Sequence, residues 1–237
     1  GELSTSKIFT ITVNDVNDKP VMTLTDSVSL PENQTDVGTV VASDEDGDTL
    51  TYELSGTDES SLSISTSGVI TFNNPPDFED PGDNGLDNLY EVEISVSDSS
   101  TNVSQALTIS ITNLNDVSPV IGSPATFSVE ENQTSVGNVI ASDVEGDPLT
   151  YELSGTDASS LSISSSGVIT FDSAPDYETK TSYSVTVAAS DGTNTDTQSL
   201  TINVTNVNDI SPVISGLASS VTVEENQTSV VTVSASD

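Results

Sequence analysis

The chain has no cysteine, histidine, tryptophan or arginine, and its only bases are Lys7, Lys19 and Lys180. Without cysteine, no disulfide holds the fold. Without cysteine or histidine, the soft ligand sets of zinc and copper are missing. With 38 acids and a net charge of −35, the chain lacks the basic groups that phosphates need, so nucleic acid is excluded as a partner. An anionic membrane surface is excluded for the same reason. No run is long and apolar enough to span a bilayer, so no direct membrane insertion is expected. No signal peptide is visible. The chain begins and ends inside repeats, which reads as a piece of a longer array. Ten aromatic residues, five Tyr and five Phe, leave a sugar-stacking surface poorly supplied.

What is present is repetition. The phrase ENQTDVGTVVASDEDGD starts at Glu32, returns as ENQTSVGNVIASDVEGD at Glu131, and begins again at Glu225, spacings of 99 and 94 residues. That period suits whole domains rather than short solenoid units. Four segments are expected: a C-terminal strand and linker of a truncated repeat at 1–19, complete repeats at 20–117 and 118–210, and the start of another at 211–237.

Apolar residues alternate in short runs, which argues against disorder despite the acidity. The first complete repeat reads as SVSL (27–30), VGTVVAS (37–43), LTYELSG (50–56), SLSIS and GVITF around a turn at Gly68, LYEVEISVSD (89–98) and SQALTISITNLND (104–116). In the sixth of these, Tyr90, Val92, Ile94 and Val96 share one face; Leu89, Glu91, Glu93 and Ser95 share the other. The second repeat follows the same plan. About seven antiparallel strands per hundred residues predict an all-β chain of tandem Greek-key β-sandwiches; a small barrel is the alternative. Tyr52, Tyr151, Phe72 and Phe171 are expected in the cores.

Acids recur at four places. These are the Glu of ENQT (Glu32, Glu131), an Asp-x-Glu pair (Asp77 with Glu79, Asp176 with Glu178), an acid pair after Ala-Ser (Asp44 with Asp46, Asp143 with Glu145), and the Asp ending the alternating strand (Asp98, Asp191). The linkers NDVNDKP, NLNDVSP and NVNDISP add Asn17, Asn113, Asn115, Asp116 and Asp209; each ends in Pro and contains no Gly. In a sandwich such residues gather at the two poles. An all-oxygen donor set suits Ca²⁺, which takes six to eight oxygens. Blander readings stand beside this one: DEDGDTL as an acidic turn or a lone EF-hand start, and Glu32 and Glu131 as surface charges. The Asp-x-Glu pairs are spaced like catalytic acids, but no cleft signal or histidine accompanies them, so no enzymatic activity is expected.

The motifs PEN (31–33), DFE (77–79), DVND (15–18), DED (44–46) and SVSD ending at Asp98, taken together and in order, resemble cadherin-type repeats, in the form found in bacterial surface adhesins. The resemblance implies calcium between successive domains. At the central junction Glu32, Asp77, Glu79 and Asp116 would hold two ions, with Glu145 bridging toward them. Asn115, Asp143, Glu145, Asp191 and the Val117 carbonyl would hold a third. The first junction would keep Asn17, Asp44, Asp46 and Asp98; the last, Glu131, Asp176, Glu178 and Asp209. Asn113 and Asn206 depart from the family's linker Asp, Glu145 is one methylene longer than its Asp, and the first linker is a residue short. The implied role is a calcium-stiffened spacer of an extracellular or cell-surface adhesion protein. The alternative is a calcium-dependent binding module for self-association or polysaccharide. Segment 7–13 and the strands of 211–237 read as complementary parts of one repeat, which implies head-to-tail association between copies.

Overall fold

A computed structural model describes residues 1–236. The chain divides into two compact units, Gly1–Asp116 and Val117 onward. In the first, the strands are β1 (Val21–Thr23), β2 (Ser27–Pro31), β3 (Asp36–Thr39), β4 (Val41–Ser43), β5 (Thr51–Ser55), β6 (Leu62–Ile64), β7 (Val69–Phe72), β8 (Leu89–Ser97) and β9 (Asn102–Thr112). Four of them form the sheet β2-β9-β8-β5, three form β3-β7-β6, and β1 pairs with β4. The second unit repeats this with β10 (Val120–Ile121), β11 (Thr126–Glu130), β12 (Ser135–Asn138), β13 (Ala141–Ser142), β14 (Thr150–Ser154), β15 (Leu161–Ile163), β16 (Val168–Phe171), β17 (Ser182–Ser190) and β18 (Thr195–Thr205). Its sheets are β11-β18-β17-β14, β12-β16-β15 and β10-β13. The chain is thus all-β, built as tandem β-sandwich repeats.

Alternation sorts each strand between core and water. Tyr90, Val92, Ile94 and Val96 of β8 are buried, as are Leu107, Ile109 and Ile111 of β9. They meet Leu62, Ile70 and Phe72 from the opposite sheet. The Phe72 and Tyr90 rings pack edge to face at 4.8 Å, and Phe171 and Tyr183 repeat the contact. Tyr52 and Tyr151 pack at the margins of the two cores. At the expected turn Gly68 has φ 79°. A methyl group there would stand 2.8 Å from the Val40 carbonyl oxygen, so Gly68 meets both a conformational and a spatial requirement.

Three features differ from the sequence reading. The sheets are not wholly antiparallel: β2 runs parallel to β9, and β11 to β18. The run 37–43 breaks at Val40, whose N–H leaves the ladder for the Gly68 carbonyl at 2.8 Å. Before the break the chain pairs with β7, after it with β1, so a repeat has nine strands where seven were expected. Residues 1–19 form no strand, although a C-terminal strand was expected there; nor does SSVTVEEN (219–226). Among the described residues segment 7–13 has no ladder partner, and a lone strand is not stable in water. Among the described residues of the last segment only β19 (Val213–Ser215) and β20 (Ser234–Ser236) pair. Asp237 lies outside the described residues.

Ile94 is fully buried, so Ile94→Ala is expected to cost about 2–5 kcal/mol in urea unfolding. Glu91→Ala, on the opposite face of the same strand, is expected to stay within about 0.5 kcal/mol. Equal effects would contradict the facing assigned to β8.

Candidate metal centres

Glu32 follows β2 directly and is 1% exposed. It is not a surface charge. Its Oε2 accepts the Phe78 N–H at 2.7 Å and its Oε1 the Leu114 N–H at 2.8 Å. Its own N–H reaches the Thr112 carbonyl at 3.1 Å. One carboxylate therefore ties the end of β2 to the DFE loop and to the chain leaving β9. The second repeat does the same. Glu131, 2% exposed, accepts from Tyr177 at 2.8 Å and Val207 at 2.7 Å. The next residue adds a clasp. Asn33 and Asn132 take φ 64°, a left-handed conformation that asparagine tolerates better than most residues. The Asn33 side-chain amide donates to Asp116, and that of Asn132 to Asp209 at 2.6 Å. The clasp was missed in the sequence; the third position of PEN was its signal.

The DFE loop folds on its own aspartate. Asp77 Oδ1 accepts from the N–H groups of Glu79 and Asp80 at 3.1 and 3.2 Å, and Asp176 Oδ1 accepts from Glu178 at 3.1 Å. These turns set the glutamate beside the buried one. Carboxylate oxygens of Glu32, Glu79 and Asp116 lie within 4.8 Å of one another, as do those of Glu131, Asp176 and Glu178. Asp77 serves the loop and is not in the first group. Partial removal from water, with Glu131, Asp176 and Asp209 facing it, pushes the Glu178 carboxyl above its usual value. Asn206 relieves part of that crowding by donating to Glu178 at 2.9 Å. An aspartate there would add a charge instead. Asn113 stands exposed at the same linker position and Asn115 half-buried.

The other pole carries the second acid set. Asp44 Oδ1 accepts from Asp46 and Asp48 N–H at 3.0 and 3.2 Å. Asp143 Oδ1 accepts from Glu145 and Asp147 at the same distances. Their Oδ2 atoms are occluded and take no hydrogen bond, a costly arrangement unless a cation or water completes it. In the second repeat Asp143, Glu145 and Asp191 converge, and Glu145 also accepts from the Val117 N–H at 3.2 Å. In the first repeat the converging carboxylates are Asp44, Asp46 and Asp48. Asp48 was missed by the sequence reading and Asp98 stands apart from this group. Thr101 N–H, the Asn17 amide at 3.0 Å, Ser100 N–H and the Thr101 hydroxyl hold the Asp98 carboxyl far below the usual carboxylate range. Asp18 N–H reaches Asp46 at 2.7 Å. The occluded oxygens and the purely oxygen donor set fit a hard divalent cation.

This architecture defines a class: tandem cadherin/Ig-like β-sandwich repeats. A family model described as Bacterial Ig domain matches residues 17–112 and 115–203, and the chain belongs to that family. It is also 33% identical over 147 residues to mouse Cadherin EGF LAG seven-pass G-type receptor 2, a match covering 56% of this chain. The human protein of that name is 32% identical over the same length. The chain spans 5% of the length of each of these relatives. Among solved structures, mouse cadherin-23 EC22-24 superposes with a TM-score of 0.75 at 24% identity, covering 93% of this chain and 78% of that one. Human protocadherin-24 EC1-2 gives 0.65 at 23%, covering 81% and 100%. These likenesses establish the fold.

Glu131→Ala leaves two backbone N–H groups without their acceptor, which costs about 1–3 kcal/mol each when such groups are buried. Unfolding of the variant in urea with EGTA is expected to show a loss of about 2–4 kcal/mol, and Glu131→Gln a smaller loss. An unchanged midpoint for Glu131→Ala would reduce this glutamate to a metal ligand alone.

Proposed function

We propose that these repeats are calcium-binding spacer domains of an extracellular adhesion protein, of bacterial surface type, in which ions at the junctions between successive domains stiffen the array. The observation that carries the reading is duplication. Acids at matching positions, in loops closed by matching hydrogen bonds, occur in both repeats, and Asp44 and Asp143 keep matching occluded oxygens. Stability does not require a carboxylate oxygen to be occluded without a partner; a cation gives it one. Glu32, Glu79 and Asp116 would hold calcium from the first repeat, and Glu131, Asp176, Glu178 and Asp209 from the second. Asp77 would serve chiefly by shaping its loop. Asp143, Glu145 and Asp191 would hold it at the start of the second repeat, and Asn113, Asn115 and the Val117 carbonyl would add oxygens from the linker. Asp44, Asp46 and Asp98, with Asn17, would do so at the start of the first, joined by Asp48. Bound calcium would neutralise crowded carboxylates and, by linkage, favour the ordered junction.

Self-association is a second reading. Phe9, Ile11 and Val13 are largely exposed. Counting back from the Asn-Asp of each linker, they occupy the register of Leu107, Ile109 and Ile111, which are buried in the first repeat. The segment from 211 onward likewise exposes Val221, Val223 and Val230. Segment 7–13 of one copy adding beside 220–224 of another would give head-to-tail chains.

Calorimetric titration is expected to show calcium binding with Kd near 10⁻⁴–10⁻³ M, the range of extracellular modules, weaker for magnesium. Asp143→Asn is expected to lower the affinity of one site about tenfold. Small-angle scattering is expected to give a long, fixed maximum dimension in calcium and a heterogeneous ensemble in EGTA. No binding heat and an unchanged profile would end the calcium reading. Sedimentation at high concentration tests the second: a strict monomer would end it.

A further inference from the structure

The two repeats share their core pattern but differ at one edge position. On β11, the Phe127 ring lies over Gly137 of β12: a methyl group on Gly137 would stand 2.6 and 2.7 Å from two ring carbons. The equivalent residues of the first repeat, set by the distance to Glu32 and Glu131, are Val28 and Gly38. A methyl group on Gly38 would meet nothing within 4 Å. Both repeats carry a bulge here, between Asp36 and Gly38 and between Ser135 and Gly137, so it is the shorter valine that leaves an open-sided cavity of about 270 Å³ in the first. Leu24, Val28, Val37, Gly38, Ile70 and Leu107 line it.

We propose that this cavity binds a single aromatic ring, presented as a phenylalanine side chain by a neutral or basic partner peptide. The second repeat supplies the template, since its own chain places a phenyl ring at the matching position. The size agrees: apolar cavities of about 150 Å³ accept benzene, and drug-sized ligands need about 300 Å³ or more. Charge selects among aromatic ligands. Asp26 and Asp36, exposed and adjacent in sequence to the lining residues Thr25 and Val37, join a chain of net charge −35. An anionic aromatic is disfavoured and a cationic one favoured. No acid assigned to calcium lines the cavity, so the site is independent of the cation reading.

Methyl-labelled full chain, titrated with phenethylamine in calcium and again in EGTA, is the test. Saturable shifts are expected at the methyls of Val28, Val37, Ile70 and Leu107 in both buffers, with binding at least about threefold weaker for 3-phenylpropionate. Val28→Phe should fill the cavity and weaken binding at least about tenfold. Phe127→Val should open the matching site, so that Val136, Ile169 and Leu200 begin to respond; this arm decides the matter where Val28→Phe perturbs the fold. Absence of saturable shifts, shifts spread over the whole surface, or no new response in Phe127→Val would overturn the proposal.

Discussion

Each repeat is closed by one buried carboxylate. Glu32 and Glu131 are almost wholly removed from water, yet among the described residues neither pairs with a lysine; each is held by two backbone N–H groups. Burying an ionised group costs several kcal/mol unless hydrogen bonds replace its hydration. Charge-assisted bonds of 2.7–2.8 Å are the strong kind that can do so. The result is a three-way tie between the end of the first sheet strand, the Asp-x-Glu loop and the outgoing linker. The placement of the neighbouring acids depends on that tie, because it fixes the two segments that carry them.

The two repeats solve one local problem differently. Just before each 3-10 turn, at Glu59–Ser61 and Ala158–Ser160, an aspartate (Asp58, Asp157) must hold the loop that leads into the long strand. In the second repeat Asp157 accepts from Ser184 N–H at 2.8 Å and pairs with Lys180, whose hydrogen bond holds the Asp157 carboxyl below its ordinary value. The lysine also sits 4.4 Å from the centre of the Tyr183 ring. The first repeat has no lysine there. Its longer loop, DPGDNGLDN, brings Asn84 N–H to Asp58 at 2.7 Å, and Glu91 N–H completes the pair at 2.7 Å. Backbone donors replace a cation. The loop then needs its own anchor, buried Asp83, which accepts from Asp87 and Asn88.

Much of this was legible in the sequence because it rests on short-range periodicity. The alternation in 89–98 gave the facing of Tyr90, Val92, Ile94 and Val96 without ambiguity, and the turn at Gly68 followed from its neighbours. Repetition located the acids, since residues recurring at domain spacing in loops stand out from scattered surface charge. What stayed hidden depends on long-range partners. The parallel pairing of β2 with β9 joins residues some eighty positions apart. The break at Val40 is set by a carbonyl on another strand. The exposed state of 7–13 goes with the lack of a ladder partner among the described residues, which no local pattern records. Asp48 was passed over because it reads as the end of a turn, and the burial of Glu32 stayed hidden because its N–H donors lie on distant segments.

The acid count of this chain has a structural as well as an electrostatic meaning. With almost no bases, loops are closed by carboxylates accepting backbone N–H groups. Asp44, Asp77, Asp98, Asp143 and Asp191 each use Oδ1 this way. An aspartate has two oxygens, and using one to shape the loop leaves the other aimed by the same geometry. In Asp44 and Asp143 that second oxygen is occluded and takes no hydrogen bond, while the first holds two N–H groups. The loop is therefore ordered by bonds that do not involve a cation, and the position offered to one is set in advance. Preorganisation of this kind reduces the ordering cost of binding. On the calcium reading proposed above, the same residues that close the sandwich ends would also receive the divalent ion, and separating the two roles by substitution requires changing the second oxygen alone, as asparagine does.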